Sequence, residues 1–465
     1  MTGLLVAAPS SGAGKTTVTL ALLRALSRAG VAVRSAKAGP DYIDPAFHAA
    51  ASGAPCVNLD PWAMRPALVA ELAGEARAAG EAFVVEAMMG LFDGAADGSG
   101  SAADLAAQLG LAVVLVVDCA KQSHSVAALV RGFATHRPDV SLAGLILNRV
   151  GSDRHAALLE DALAPLGIPV LAVLPRRADL VLPERHLGLV QAGEHAELEG
   201  FLDRAADWMA AGADLSALAD LAKGSRGPEV TGERRELSEG DGCGAQAPRA
   251  APRSSAGASA APTPTGIALA PLGQRIAVAS DGAFAFAYPH LLDGWRRLGA
   301  ELSFFSPLAD EAPSTEANAV YLPGGYPELH GARLAAATRF KAGMRNAAVR
   351  GAAIYGECGG YMVLGEALED AEGATHGMLG LLPLRTSFAR RRLHLGYRRL
   401  EPLAGLPWPQ RLRAHEFHYA SIVSEGPGEP LFRACDARGD DLGAFGLVAG
   451  RICGSFLHVI DREAA

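Results

Sequence analysis

A cysteine set among glycines carries the first chemical signal: Gly356-Glu357-Cys358-Gly359-Gly360 follows the apolar run Ala352-Ala353-Ile354-Tyr355. A nucleophile on a tight strand-to-helix elbow needs small neighbours, because the turn is strained and bulky side chains would block approach to it. About a hundred residues later, Gly454-Ser455-Phe456-Leu457-His458 supplies a histidine suited to act as the base that makes the thiolate. Upstream, Leu322-Pro323-Gly324-Gly325-Tyr326-Pro327 offers backbone N–H groups for an oxyanion, and Gly325 and Gly359 are the expected donors. A lone cysteine is more often one more buried side chain. A structural cysteine, however, gains nothing from Gly356, Gly359 and Gly360, which weaken packing and cost backbone entropy.

The N-terminal segment carries an independent signal. The apolar run Leu4-Leu5-Val6-Ala7 leads into Ala8-Pro9-Ser10-Ser11-Gly12-Ala13-Gly14-Lys15-Thr16-Thr17, and a helical pattern through Leu20, Leu23 and Leu26 follows. This reads as strand, phosphate loop, helix. Gly12 and Gly14 let backbone N–H groups face phosphate oxygens, Lys15 adds positive charge at the β and γ phosphates, and Thr16, followed by Thr17, can ligate magnesium. Pro9 stands where the motif usually has its first glycine, and the rest of the loop keeps its physical logic.

The elements that must position these residues divide into two groups. Short apolar runs at Phe83-Val84-Val85, Ala112 to Val117, Leu145-Ile146-Leu147 and Val170-Leu171 alternate with Ala/Leu-rich helical stretches, and the pattern resumes at Ile276-Ala277-Val278, Leu302 to Phe305, Ala319 to Leu322 and Ile354-Tyr355. The expected fold class is α/β, with two domains each built on a mostly parallel sheet: a nucleotide-binding domain at 1–223 and a second domain at 274–465. Between them, 224–273 is rich in Gly, Ala, Pro, Ser and charge, and reads as a disordered linker.

The 465 residues are half hydrophobic and carry a net charge of -8, which argues against a nucleic-acid surface. Arg390-Arg391-Arg392 is the exception, read as an anion contact or a solvated turn. The six cysteines, at 56, 119, 243, 358, 435 and 453, show no C-x-x-C spacing, so neither a zinc site nor a disulfide framework is expected. Neither a signal peptide nor a membrane span is read from the sequence, and a cytoplasmic location is expected. A homodimer stays open.

The cysteine elbow, the Gly324-Gly325 loop and His458, in this order, resemble the class I glutamine amidotransferases, which release ammonia from glutamine. Joined to an ATP site, they imply ATP-driven amidation of a carboxylate through an acyl phosphate. Lys37-Ala38-Gly39-Pro40-Asp41-Tyr42-Ile43-Asp44-Pro45, Glu86-Ala87-Met88-Met89-Gly90-Leu91-Phe92-Asp93-Gly94 and His415-Glu416-Phe417-His418-Tyr419, with the elbow, resemble the cobyrinate and hydrogenobyrinate a,c-diamide synthases of cobalamin biosynthesis. The resemblance spans the chain except the linker, and the Glu-Ala-Met-Met-Gly segment and the Gly-Ser-Phe-Leu-His-Val-Ile-Asp ending look closer to the hydrogenobyrinate branch.

That resemblance implies ATP as co-substrate, Mg2+ held by Thr16, Asp44 and Glu86, Lys37 neutralising the transferring phosphoryl group and Asn148 reading adenine. It also implies corrinoid contacts by Asp41, Tyr42 and Asp93, with corrinoid, glutamine and ATP as the small-molecule partners. Turn chemistry would explain Gly-Pro-Asp and Asp-Gly equally well, and a strand-terminal Asn is often just a cap. Many class I glutaminases carry a glutamate two positions after the histidine; here that position is Ile460, so the orienting third residue is unassigned and a Cys358–His458 dyad is expected. His415 and His418, three apart in a strand-like segment, face opposite ways. The rivals are a cobyric acid synthase and a partitioning ATPase with an inactive second domain.

Overall fold

The computed structural model describes residues 3–182, 184–185, 188–189, 191–195, 197–224 and 269–464. Seven parallel strands make the N-terminal sheet, in the order Cys56–Leu59, Val33–Ala38, Ala82–Glu86, Leu4–Ala7, Ala112–Asp118, Leu142–Val150, Val170–Pro175. Leu4–Ala7 is buried throughout, as a central strand covered by helices on both faces requires. Ligands of such sheets gather at the carboxyl ends of the strands. That edge here carries the Ser10–Gly14 loop, Lys37, Glu86 and Asn148. Register makes the arrangement local: Lys37 pairs with Glu86 on the neighbouring strand, and Val6 pairs with Glu86 from the other side.

The C-terminal domain has a six-stranded sheet in the order Glu301–Phe305, Arg275–Ala279, Ala319–Leu322, Ala353–Glu357, Ile452–Ser455, Leu447–Ala449, parallel except for the last pair. Leu322 pairs with Gly356, which brings the Gly324-Gly325 loop beside the cysteine elbow. The sequence reading did not anticipate a second, five-stranded antiparallel sheet, Asp441–Phe445, Phe432–Asp436, His394–Pro402, Leu412–His418, Leu457–Arg462. His415 pairs there with His458.

Residues 225–268, most of the expected linker, lie outside the described residues. Its described end departs from the expectation: Leu269 and Leu272 are buried, and the Ala270 carbonyl accepts from Trp408 Nε1 at 2.7 Å. Two leucines three apart sufficed to anchor a segment that composition averaged over fifty residues hid.

The domains share one continuous apolar core, from Leu59, Trp62 and Leu68 to Tyr288, Leu457 and Val459. Polar contacts frame it. Arg65 grips the Asp461 carboxylate with Nε and Nη2 at 2.9 and 3.0 Å, and its backbone N–H donates to the same group at 2.9 Å. Tyr397 Oη donates to Asp60 at 3.0 Å while its ring stacks on Trp62 at 4.5 Å. Removing one partner of a buried, multiply bonded ion pair costs about 3 kcal/mol or more, because the other charge is stranded. Arg65→Ala should therefore lower unfolding stability by about that much in urea titration. An unchanged urea transition would show that the clamp is idle.

Candidate active site

At the N-terminal edge, Gly12 and Gly14 have φ of 80° and 88°, the left-handed region open to glycine. The loop then opens the helix Lys15–Arg28 with no side-chain cap on its first N–H groups, leaving donors for an anion. A Cβ on Gly14 would collide with the Asn148 amide. Asn148 Nδ2 donates to Ala13 O at 2.9 Å and its Oδ1 accepts from Arg149 N–H at 2.9 Å. The Nδ2 end of that amide thus props the loop, while the Oδ1 end is tied to the residue that follows it. Asn148 and Thr17 also line a cavity of about 890 Å3 on the outer side of the loop.

On the inner side, Lys15 Nζ donates to Met89 O at 2.5 Å. Thr16 Oγ1 donates to Glu86 Oε1 at 2.7 Å, and Lys37 Nζ bridges Asp44 Oδ2 at 2.5 Å and Glu86 Oε1 at 2.9 Å. Burial pushes the Asp44 carboxyl up to about 7, helped by the nearby Asp41 charge and opposed by Lys37. Burial likewise opposes the Glu86 charge, yet Lys37 and His48 hold that carboxyl below its ordinary range. One hydroxyl and two carboxylates converge where the Lys37 ammonium sits, a hard-oxygen donor set that fits magnesium.

His48 was not foreseen. Its Nε2 lies 2.7 Å from Glu86 Oε2, and it falls four residues after Asp44 on the helix Asp44–Ser52. That i, i+4 spacing puts both on one helix face and was the available signal.

Among the expected corrinoid contacts, Asp41 and Asp93 perform turn chemistry. Asp41 Oδ1 accepts from the N–H groups of Ile43 and Asp44 at 2.8 and 3.0 Å, and Asp93 Oδ2 accepts from Gly90 N–H at 2.8 Å. Tyr42 instead crosses into the other domain. Its ring lies 4.4 Å from Tyr288, 5.0 Å from Phe286 and 5.1 Å from the ring of His458.

Cys358 has φ 47° and ψ -105°, so the cysteine takes the strained elbow conformation itself, just before the helix Gly359–Leu364. A Cβ on Gly324 would collide with His458 Cε1 and stand 3.3 Å from Cys358 Cβ, so the glycine is what lets the two approach one space. A Cβ on Gly359 would lie 3.0 Å from Gly325 N, placing the two expected oxyanion residues side by side. Burial raises the Cys358 thiol far above its ordinary range, and the Glu328 charge adds to that; burial also lowers His458 to about 3, helped by His415 and His418. Both shifts favour a neutral thiol beside a neutral imidazole that can accept its proton. The thiol rests 3.9 Å from Phe417 O, a loose contact of the kind that tightens when substrate binds.

Asp461 is taken by Arg65 and cannot orient His458. The carboxylate beside His458 Nδ1 is Glu357 Oε2, at 3.9 Å too long for a hydrogen bond. Glu357 accepts from Tyr321 and Tyr355 hydroxyls at 2.8 and 2.9 Å, and burial pushes it up to about 7. It adjoins Cys358 in sequence, where its own place on the elbow gave no sign that it would face the distant His458.

Close by, Glu328 and Arg391 line a cavity of about 350 Å3 walled by Tyr326 and Tyr419. Burial pushes Glu328 up to about 7, against the pull of Arg391, and its Oε2 is buried with no partner. His415 faces the domain seam, with Tyr397 edge-on at 5.9 Å, and His418 stacks on Phe456 at 4.0 Å. His394, Glu416 and His418 lie close enough to share a metal. The two imidazoles, however, stack within 3° of parallel at 4.6 Å, so their in-plane lone pairs do not converge, and Arg398 already pairs with Glu416 at 2.6 Å.

Residues 275–465 match the family model of a CobB/CobQ-like glutamine amidotransferase domain, and residues 4–190 match that of a CobQ/CobB/MinD/ParA nucleotide binding domain. The hydrogenobyrinate a,c-diamide synthase of Brucella anthropi is 60% identical over 462 residues, 99% of each chain. That of Rhizobium meliloti is 59% identical over 461 residues, again 99% of each, and that of Mesorhizobium japonicum is 49% identical over 471. The chain belongs to the hydrogenobyrinate a,c-diamide synthase family. It is a glutamine-dependent amidating ligase with a phosphate-loop nucleotide-binding domain. The family's two-domain α/β architecture is the one described above. Among the described residues, no helix is long and apolar enough to cross a membrane.

Proposed function

We propose that this ligase amidates the a and c acetate carboxylates of hydrogenobyrinate, using ATP and glutamine. The observation that carries the reading is a cavity of about 610 Å3 between the domains, which has Lys15, Lys37, Asp44 and Glu86 on one wall and Phe286, Tyr326 and Phe417 on the other. Tyr42 lines it and packs against His458.

In the glutaminase half, Cys358 Sγ attacks the glutamine carboxamide carbon as His458 takes the thiol proton and delivers it to the leaving ammonia. Gly325 and Gly359 N–H groups stabilise the oxyanion. Water then cleaves the glutamyl thioester to glutamate and restores the thiol. The buried Glu328 and the Arg391 guanidinium suit the α-ammonium and α-carboxylate of glutamine. In the synthase half, the acceptor carboxylate takes the γ-phosphoryl group of ATP, giving acyl phosphate and ADP. Ammonia attacks the acyl carbon, phosphate leaves, and the amide forms with loss of a proton. Magnesium, held by Thr16, Asp44 and Glu86, would screen the phosphate charge; Lys15 and Lys37 supply the remaining positive charge. Ammonia is nucleophilic only while unprotonated, so a route shielded by Tyr42, Phe286 and Tyr326 preserves its reactivity.

Mass spectrometry of products formed from hydrogenobyrinate and from cobyrinate with ATP and glutamine tests this reading. Diamide from the metal-free acid is expected. Preferential turnover of cobyrinate would move the assignment to the cobalt-containing substrate, and amidation at four other side chains would make the chain a cobyric acid synthase.

A further inference from the structure

Four exposed large apolar side chains, Met89, Val181, Leu395 and Leu442, at 48, 69, 57 and 40% exposure, lie on the walls of cavities at the domain seam. Scattered single apolar residues are ordinary on protein surfaces, whereas several gathered at the mouth of one cleft mark a binding surface. The 610 Å3 cavity meets a second of about 490 Å3, and the two share Met88, Met89, Leu395 and His415. The shared wall therefore comes from both domains.

Met89 has φ 57°, an unfavourable conformation for a bulky residue, and its carbonyl is held by Lys15. The strain turns the carbonyl down to the phosphate site and leaves the side chain on the rim. Leu395 stands on the strand His394–Pro402 of the glutaminase domain. The floor of the joined cleft carries Lys15 and Lys37 beside the Asp44 and Glu86 carboxylates that pair with Lys37, and its rim is apolar.

Resting on the function proposed above, we infer that the apolar face of the corrin macrocycle lies across this seam on Met89 and Leu395. The acetate to be amidated reaches down to Lys15. The glutaminase domain then supplies half of the acceptor site, and the corrinoid closes the cleft over the space ammonia must cross.

The test uses the full chain, ATP, ammonium as nitrogen donor and hydrogenobyrinate at varied concentration. A carboxylate set against the macrocycle should raise KM for the corrinoid at least about tenfold in both Leu395→Glu and Met89→Glu, about 1.4 kcal/mol of binding. The rate at saturating corrinoid should fall less, and Leu395→Met should restore KM. Thermal melting checks that each variant is folded; if one is not, the other decides. A corrinoid KM unchanged in the folded variants, with the wild type turning over, would overturn this inference alone. A wild type that amidates no corrinoid would overturn the function and the inference together.

Discussion

Cys358→Ala should abolish glutamine-dependent amidation, by about a thousandfold or more, while amidation driven by ammonium salt survives. In the proposed mechanism the thiol is the atom that bonds to the glutamine carbon, so no neighbour can replace it. It contributes little else. Its polar contacts are weak, a loose 3.9 Å approach to Phe417 O and the neighbouring Gly359 N–H, and alanine tolerates the left-handed elbow no worse than cysteine does. Melting should therefore change little, which separates a chemical defect from an unfolded chain. Side-by-side assays with glutamine and with ammonium chloride would reveal the selectivity, and loss of both activities in a folded variant would sink the assignment.

Lys15→Ala should behave in the opposite way, losing amidation with either nitrogen source by about a hundredfold or more. Burial lowers the affinity of Lys15 for its proton, and the Glu86 carboxylate works against that shift. Its head group already faces the inner site through Met89 O, where the proposed mechanism has the phosphoryl group transferred. Near-normal turnover with ammonium in this variant would mean that ATP is activated elsewhere.

What the sequence disclosed was local. The phosphate loop, the cysteine elbow and the strands that enter them could be read because glycine conformational freedom and apolar runs act within a few residues. The same locality explains what was missed. Arg65 and Asp461 are 396 residues apart, so the clamp that removes Asp461 from the glutaminase triad leaves no periodic trace. Tyr42 was legible as part of a motif, but its tilted contact with the His458 ring depends on how two domains meet. The antiparallel sheet carrying His394 to Pro402 was overlooked because several of its strands, His394–Pro402, Leu412–His418 and Phe432–Asp436 among them, lack a regular alternation of buried and exposed residues. Asp41 shows a subtler limit: its carboxylate does cap a turn, and that role and ligand binding begin from the same residue types.

Tyr42 belongs to both sites at once, two residues from Asp44 in the chain and ring to ring with His458. Affinities linked through such a residue are bound by reciprocity, since the free energy of the doubly occupied enzyme does not depend on which ligand arrived first. If the corrinoid tightens glutamine binding about tenfold, glutamine must tighten corrinoid binding about tenfold as well. Dissociation constants measured in both orders on the Cys358→Ala enzyme, where glutamine is not consumed, should therefore close a thermodynamic square. Substituting Tyr42 with alanine should shrink the shared factor toward unity from both directions together.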